Sequence, residues 1–188
     1  KIIAIYEAPN LEAVAEAEVQ KVKDQFLLHR PYFLFVGTLE RKKNTFALAK
    51  GFDEFVEKYK LNMDLVYAGK VDSHYPEERD KILSVKHADR IILTGYITDT
   101  QLASLYEGAY AYTNASLNEG FGLPGVEAMQ FGLPLLVSNT EVFNEVYDTA
   151  AIYFDADSPN DITEKMHLVA RDKQFYEQLQ QKSLERGT

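Results

Sequence analysis

The 188-residue chain contains no cysteine, which rules out disulfides and thiolate metal sites and fits a cytoplasmic home. It has no apolar run approaching the ~20 residues that a membrane span requires. Basic residues are the minority: 20 Lys and Arg against 29 Asp and Glu give a formal net charge of −9. A general nucleic-acid binder needs a basic face to displace counterions, so that class is argued against and any phosphate site has to be local. The four histidines, at 29, 74, 87 and 167, show no metal-ligand spacing, and no bound metal is expected. Repeats and low-complexity stretches are also missing. The chain begins at Lys1 with no charged-then-apolar leader, and it is read as an excised piece of a longer protein.

What is present is ordinary globular composition, 46% hydrophobic and 26% charged, in a chain long enough to bury a sizeable core. Compact apolar runs at residues 1–6, 32–36, 64–68, 90–94, 109–113, 134–137 and 150–154 read as strands. Helical periodicity fills the intervals. Apolar residues at 11, 14, 19, 22 and 26, and at 48, 52, 55, 56 and 59, form stripes on single helical faces. Residues 75–86 read as a charged surface helix, Asp99 as the N-cap of a helix through Leu102, Leu105 and Tyr106, and residues 161–170 and 172–186 as two closing helices. Strands alternating with helices predict α/β architecture: a Rossmann-like, doubly wound parallel sheet forming one domain over residues 1–188. Ligands of such sheets bind at the carboxyl ends of the strands, which places the loops after residues 36, 68, 94 and 113 on one edge.

The most informative stretch runs from Ser116 to Glu127, Ser-Leu-Asn-Glu-Gly-Phe-Gly-Leu-Pro-Gly-Val-Glu. It follows an apolar run and leads into the helical pattern of Val126, Ala128, Met129 and Phe131, which stops at Gly132. A glycine-bearing turn between strand and helix favours an anion. Gly120 and Gly122 allow unusual backbone conformations and close ligand approach, and the first helical amides carry unpaired donors at the positive end of the helix dipole. Pro124 suits the first helical turn because its missing donor costs nothing there. Two carboxylates flank the anion position and therefore have to meet something else. Glu127 leans back toward the helix start, where it can accept hydrogen bonds from ribose hydroxyls, and Glu119 can meet a sugar from the other side. A second unit, Gly37-Thr-Leu-Glu-Arg-Lys-Lys-Asn44, puts three consecutive basic residues before a helix, a local positive patch suited to a diphosphate.

Glu119 and Glu127 form an E-x7-E pair inside Glu-Gly-Phe-Gly-Leu-Pro-Gly-Val-Glu-Ala-Met, a string that resembles the signature of retaining GT-B glycosyltransferases, the glycosyl transferases group 1 family. The loop from Gly37 resembles the Gly-Thr-Leu-Glu-Pro-Arg-Lys-Asn of many members, with Lys42 in the Arg position and Lys43 in the Lys position. The resemblance implies that the chain is the C-terminal, donor-binding half of a GT-B fold, with the N-terminal acceptor domain and the final crossover helix absent. It further implies that Glu119 and Lys43 carry the catalytic roles. Donor contacts fall to Gly37, Thr38, Lys42, Tyr96, Ile97, Ser116, Gly120, Phe121, Gly122, Leu123 and Glu127. The nucleobase lies against the loop of Tyr96 and Ile97, the ribose on Glu127 and the diphosphate between the basic loop and the glycine-turn amides. No cofactor and no metal are implied. Three positions depart from the pattern: Arg41 replaces a Pro, Ala115 replaces a Pro before Ser116, and Thr38 stands where some relatives carry a phosphate-binding Arg.

The implied partner is a nucleoside diphosphate sugar, with the loop leaning toward GDP-mannose. The acceptor, a saccharide or lipid-linked hydroxyl, is expected on the missing domain, through which the full enzyme can also meet the inner face of a membrane. Such a fragment binds donor and does not transfer. Two alternatives stay open, an inactive nucleotide-binding regulatory module and a GT-B epimerase, and Glu119 is left as either nucleophile or orienting group.

Overall fold

The computed structural model describes residues 11–187. The expected strand at residues 1–6 lies outside them. The remaining six expected strands are all present: β1 (Tyr32–Val36), β2 (Asp64–Ala68), β3 (Ile91–Gly95), β4 (Ala111–Asn114), β5 (Leu135–Ser138) and β6 (Ala151–Phe154). They form one parallel sheet in the order β3-β2-β1-β4-β5-β6. Eight α-helices connect or flank them: α1 (Glu16–Gln25), α2 (Thr45–Tyr59), α3 (Glu77–Ile82), α4 (Asp99–Gly108), α5 (Leu123–Gln130), α6 (Glu141–Tyr147), α7 (Pro159–Arg171) and α8 (Lys173–Gly187).

The continuous apolar run of β1 has a direct cause in this arrangement. All five residues are buried, because helices cover both faces of the sheet. Phe33 and Phe35 point into the layer that holds α2 and α7, where Phe33 meets Phe55 edge-on at 5.7 Å. Tyr32, Leu34 and Val36 point into the opposite layer beside Leu105, Tyr106, Ala128 and Met129. Burying a side chain of this size is worth about 2 kcal/mol relative to leaving it exposed. The first layer is held by a close crossing of α2 and α7: a methyl group at Gly51 would lie 2.6 Å from Ile162 Cγ2, and Thr163 Oγ1 donates to Gly51 O at 2.7 Å.

Two local expectations are corrected. The helix after β3 is capped by Thr98, not Asp99: Thr98 Oγ1 accepts from Gln101 N, and Gln101 Oε1 accepts from Thr98 N at 2.9 Å. This reciprocal pair satisfies two orphan amides at once, so Asp99 becomes the first helical residue. The charged segment at residues 75–86 contributes only the short α3, whose inward residues are Ile82 and Glu78.

The sheet order reverses direction between β1 and β4. Chain progress moves outward from β1 through β2 to β3, then returns to the other side of β1 and moves outward again through β4, β5 and β6. The loops leaving β1 and β4 consequently diverge to opposite sides and open a crevice at their carboxyl ends.

Candidate functional site

The crevice is built by two loops that touch. Leu117 N donates to Lys42 O at 2.9 Å, which docks the turn after β4 onto the basic loop after β1. Above this contact, Lys43 Nζ meets Glu119 Oε1 at 2.5 Å, with the two side chains only 16% and 11% exposed. Ser116 Oγ lies 2.7 Å from the same carboxylate oxygen and 2.6 Å from Asn114 Oδ1, and its single proton serves one of the two. Asn114 is itself held at the end of β4, donating to the Tyr112 hydroxyl at 3.1 Å and accepting from Ser116 N at 2.8 Å. A chain of polar groups from buried Tyr112, Asn114 and Ser116 out to part-buried Lys43 thus orients Glu119.

The turn then enters α5 through Gly122, whose φ of +89° is the left-handed conformation that glycine adopts without cost. A side chain is excluded there on a second ground, since a methyl group would lie 2.3 Å from Tyr147 Oη. Gly125 has the same neighbour at the same distance. Tyr147, arriving from α6, is fully buried and donates to Gly122 O at 2.6 Å, so its ring and hydroxyl brace the turn from beneath. Burial holds its phenol far above the usual tyrosine range, so it remains a neutral donor. Gly120 does not share the unusual backbone expected of it: Gly122 alone of this pair has a positive φ. A Cβ at Gly120 would meet nothing within 4 Å, so its lack of a side chain leaves open space over the turn. The first amides of α5 with a backbone acceptor are Gly125 and Val126, both bonded to Gly122 O, and the helix start at Gly122 and Leu123 faces the crevice ahead of them.

Glu127, one turn into α5, accepts from the hydroxyl of buried Tyr106 at 2.8 Å; that hydroxyl also lies 2.9 Å from Pro124 O. Desolvation raises the Glu127 pKa above the ordinary carboxyl value; the Tyr106 hydrogen bond opposes the shift and the charge of Asp99 adds to it. A partly buried carboxylate with one hydrogen-bond donor retains accepting capacity for a ligand hydroxyl.

On the other side of β1, Gly37, Thr38, Tyr96 and Ile97 line one cavity of about 280 Å³ together with Gly69, Lys70 and Leu102. Its floor is bare backbone: a methyl group at Gly69 would fall 2.0 Å from Gly37 O. Tyr96 is 72% exposed, and Lys70 Nζ sits 4.6 Å from its ring centroid.

The structure therefore brings Lys43, Ser116 and Glu119 into direct contact, places residues 120–123 and Glu127 at the start of the next helix, and gathers Gly37, Thr38, Tyr96 and Ile97 in an adjoining cavity. Lys42 stands apart. Its ammonium is exposed and pairs with Glu40 Oε1 at 3.2 Å instead of joining Lys43. Sequence reasoning missed Asn114, Tyr106 and Tyr147. A lone Asn ending an apolar strand was a usable signal, whereas the two tyrosines come from α4 and α6 with no local mark. Among the described residues, no group of three or more His, Asp or Glu is placed to hold a metal, and no helix is long and apolar enough to cross a membrane.

Comparison with known proteins gives this geometry a family. The serotype-specific mannosyltransferase WbdA of Escherichia coli is 30% identical over 171 residues, which is 88% of this chain and 21% of that protein. The O-antigen chain mannosyltransferase RfbU of Salmonella typhimurium is 30% identical over 126 residues, 67% of this chain and 35% of that one. The chain thus spans between a fifth and about a third of the length of these curated relatives. Among solved structures, the C-terminal domain of a glycosyl transferase group 1 family protein (LpcC) from Francisella tularensis superposes with a TM-score of 0.77 at 21% identity, covering 93% of this chain and 92% of that one. Anabaena Alr3699/HepE, solved in complex with UDP and glucose, superposes with a TM-score of 0.81 at 14% identity over 93% of this chain and 48% of that one. The fold is that of the C-terminal domains of GT-B glycosyltransferases. A family model described as Glycosyl transferases group 1 matches residues 17–186, and the chain belongs to that family.

Proposed function

We propose that this chain is the nucleotide-sugar-binding domain of a retaining glycosyltransferase, which in its full form moves a hexose from a nucleoside diphosphate sugar to a saccharide or lipid-linked hydroxyl. The observation that carries the reading is the meeting of Lys43 with Glu119 at the β1/β4 switch point, directly before a helix start reached through Gly122. A cation, a set of helix-start amides and a sugar-facing carboxylate there match the three parts of such a donor.

In this reading the nucleobase occupies the cavity of Gly37, Thr38, Tyr96 and Ile97, and the ribose hydroxyls bond Glu127. The diphosphate lies between Lys43 and the amides of residues 120–123, with Lys42 free to swing in from its exposed pair with Glu40. Glu119, steadied by Ser116, faces the sugar. As the glycosidic bond breaks, negative charge grows on the departing diphosphate, and the preoriented amides and Lys43 stabilise it. The mannosyltransferase names of the relatives support mannose as the hexose, and in this reading GDP is its carrier. In this reading the chain is one donor domain, with the acceptor domain and crossover helix elsewhere in the protein, so it binds nucleotide and transfers no sugar. Calorimetric titration with GDP, UDP and ADP tests the reading. Selective binding of one nucleotide supports it; failure of all three, or sugar transfer by this chain alone, contradicts it.

A further inference from the structure

A second cavity lies farther along the same sheet edge, at the carboxyl ends of β4, β5 and β6. Its volume is about 500 Å³, within the range of ligand pockets, and the nucleotide reading does not use it. Ser138 and Asn139 form one wall and Tyr153, Asp155, Asp157 and Asp161 the other. The lining is rich in oxygen and amide groups. Two of the carboxylates are fixed by the backbone: Asp161 Oδ2 accepts from Asp155 N at 2.8 Å, and Asp155 Oδ1 from Asp157 N at 2.9 Å. Rigid acceptors need no ordering when a ligand arrives. Lys165 Nζ lies 3.7 Å from Asp161 Oδ1, and among the described residues no cation pairs with Asp155 or Asp157.

This chemistry selects a polyol and rejects an anion. Carboxylates and an amide can each engage ring hydroxyls. A phosphate group among three carboxylates would meet like-charge repulsion. The cavity also has a defined relation to the proposed donor. Ser116 and Leu117 form part of its wall, and Ser116 Oγ lies 2.7 Å from Glu119 Oε1, the carboxylate that faces the transferred sugar. The sheet order then lays three positions in a row: the base beside β3, β2 and β1, the diphosphate between β1 and β4, and this cavity beyond β4.

We propose that the cavity at the ends of β4, β5 and β6 is a saccharide subsite that holds an uncharged sugar ring of the acceptor next to the donor sugar. The proposal rests on the donor reading for the word acceptor, and it moves part of acceptor recognition onto this domain. It is tested by amide-resolved NMR titration of the 188-residue chain with methyl α-mannopyranoside and, separately, with mannose 6-phosphate. The expected result is saturable shifts at residues 138–140 and 155–157 with the neutral sugar, and affinity for the phosphate at least about fivefold weaker, the effect of roughly one close like-charge contact in water. Asp157→Lys, an exposed position, should reverse that preference without lowering the melting temperature. Absence of saturable shifts at those amides, equal affinity for the two sugars, or a saccharide response confined to residues 119–123 would overturn the proposal. A nucleoside diphosphate titrated alone reports residues 120–123, so failure of the donor reading shows there and leaves the saccharide result legible.

Discussion

Separating Lys43 from Glu119 tests the site through stability and binding at once. The pair is short and its side chains are 16% and 11% exposed, between the surface and the interior. Breaking a fully buried pair costs about 3–5 kcal/mol, and exposed pairs are worth roughly 0–1 kcal/mol. About 2 kcal/mol is therefore expected for either single change. Among the described residues, Lys43→Ala leaves Glu119 with Ser116 as its remaining side-chain partner, and Glu119→Ala leaves the Lys43 ammonium with no carboxylate. At roughly 2–4 °C per kcal/mol for a chain of this length, each variant should melt about 4–8 °C lower. The double variant should recover part of the loss, because neither charge is stranded. Nucleotide binding should divide the two. Lys43→Ala should lose at least about tenfold in affinity for a nucleoside diphosphate, the worth of a charge-assisted hydrogen bond. Glu119→Ala should bind the sugar-free nucleotide as tightly as the parent or more so, since Lys43 no longer has a protein partner to share. Thermal melts and calorimetry on all four proteins read both quantities. Single variants that each cost under about 0.5 kcal/mol and add in the double, or a nucleotide affinity indifferent to Lys43, would refute the reasoning.

Two further outcomes follow from the helix start. Glu127 has its pKa raised by burial, so its contribution to stability is fully present below the unfolded carboxyl value and is lost as pH rises through the folded one. Glu127→Gln keeps an acceptor for Tyr106 and removes that penalty. Its melting temperature at pH 7 should equal or exceed the parent's, with the difference closing below about pH 4, the ordinary range of a carboxyl group, while nucleotide affinity falls about tenfold as ribose loses a charged acceptor. A lower melting temperature with unchanged affinity would contradict this. Gly122→Ala combines a positive φ with a contact 2.3 Å from Tyr147 Oη, and should cost about 2–4 kcal/mol by strain and overpacking together. Adding Tyr147→Phe should relieve only part of that cost in a thermal melt, because the backbone strain remains.

Strand positions were legible because a parallel sheet covered on both faces turns each strand into an unbroken apolar run, as in Tyr32–Val36. Their order was not, since apolar runs carry no record of which neighbour they join; β1 pairs with both β2 and β4, and only the crossovers decide that. The glycine turn could be read from its string, yet the two glycines differ in their reasons. Gly122 is demanded by its backbone and by Tyr147, whereas Gly120 leaves space. Thr98 and Asp99 are both capping residues side by side, and the Gln three positions after Thr98 was the signal that separates them. The ion pair of Lys43 and Glu119 spans 76 positions, and the supports from Tyr106 and Tyr147 arrive from separate helices. Such contacts follow from topology and leave no local pattern.

The central claim is that a nucleoside diphosphate sits on the start of α5. Backbone amide NMR of the chain titrated with GDP, UDP and ADP addresses it residue by residue. The account predicts that the nucleotide bound most tightly shifts the amides of residues 120–123 most strongly, with a second group of shifts at Gly37, Tyr96 and Ile97. Saturable binding that leaves residues 120–123 unmoved, or no binding by any of the three, would contradict it.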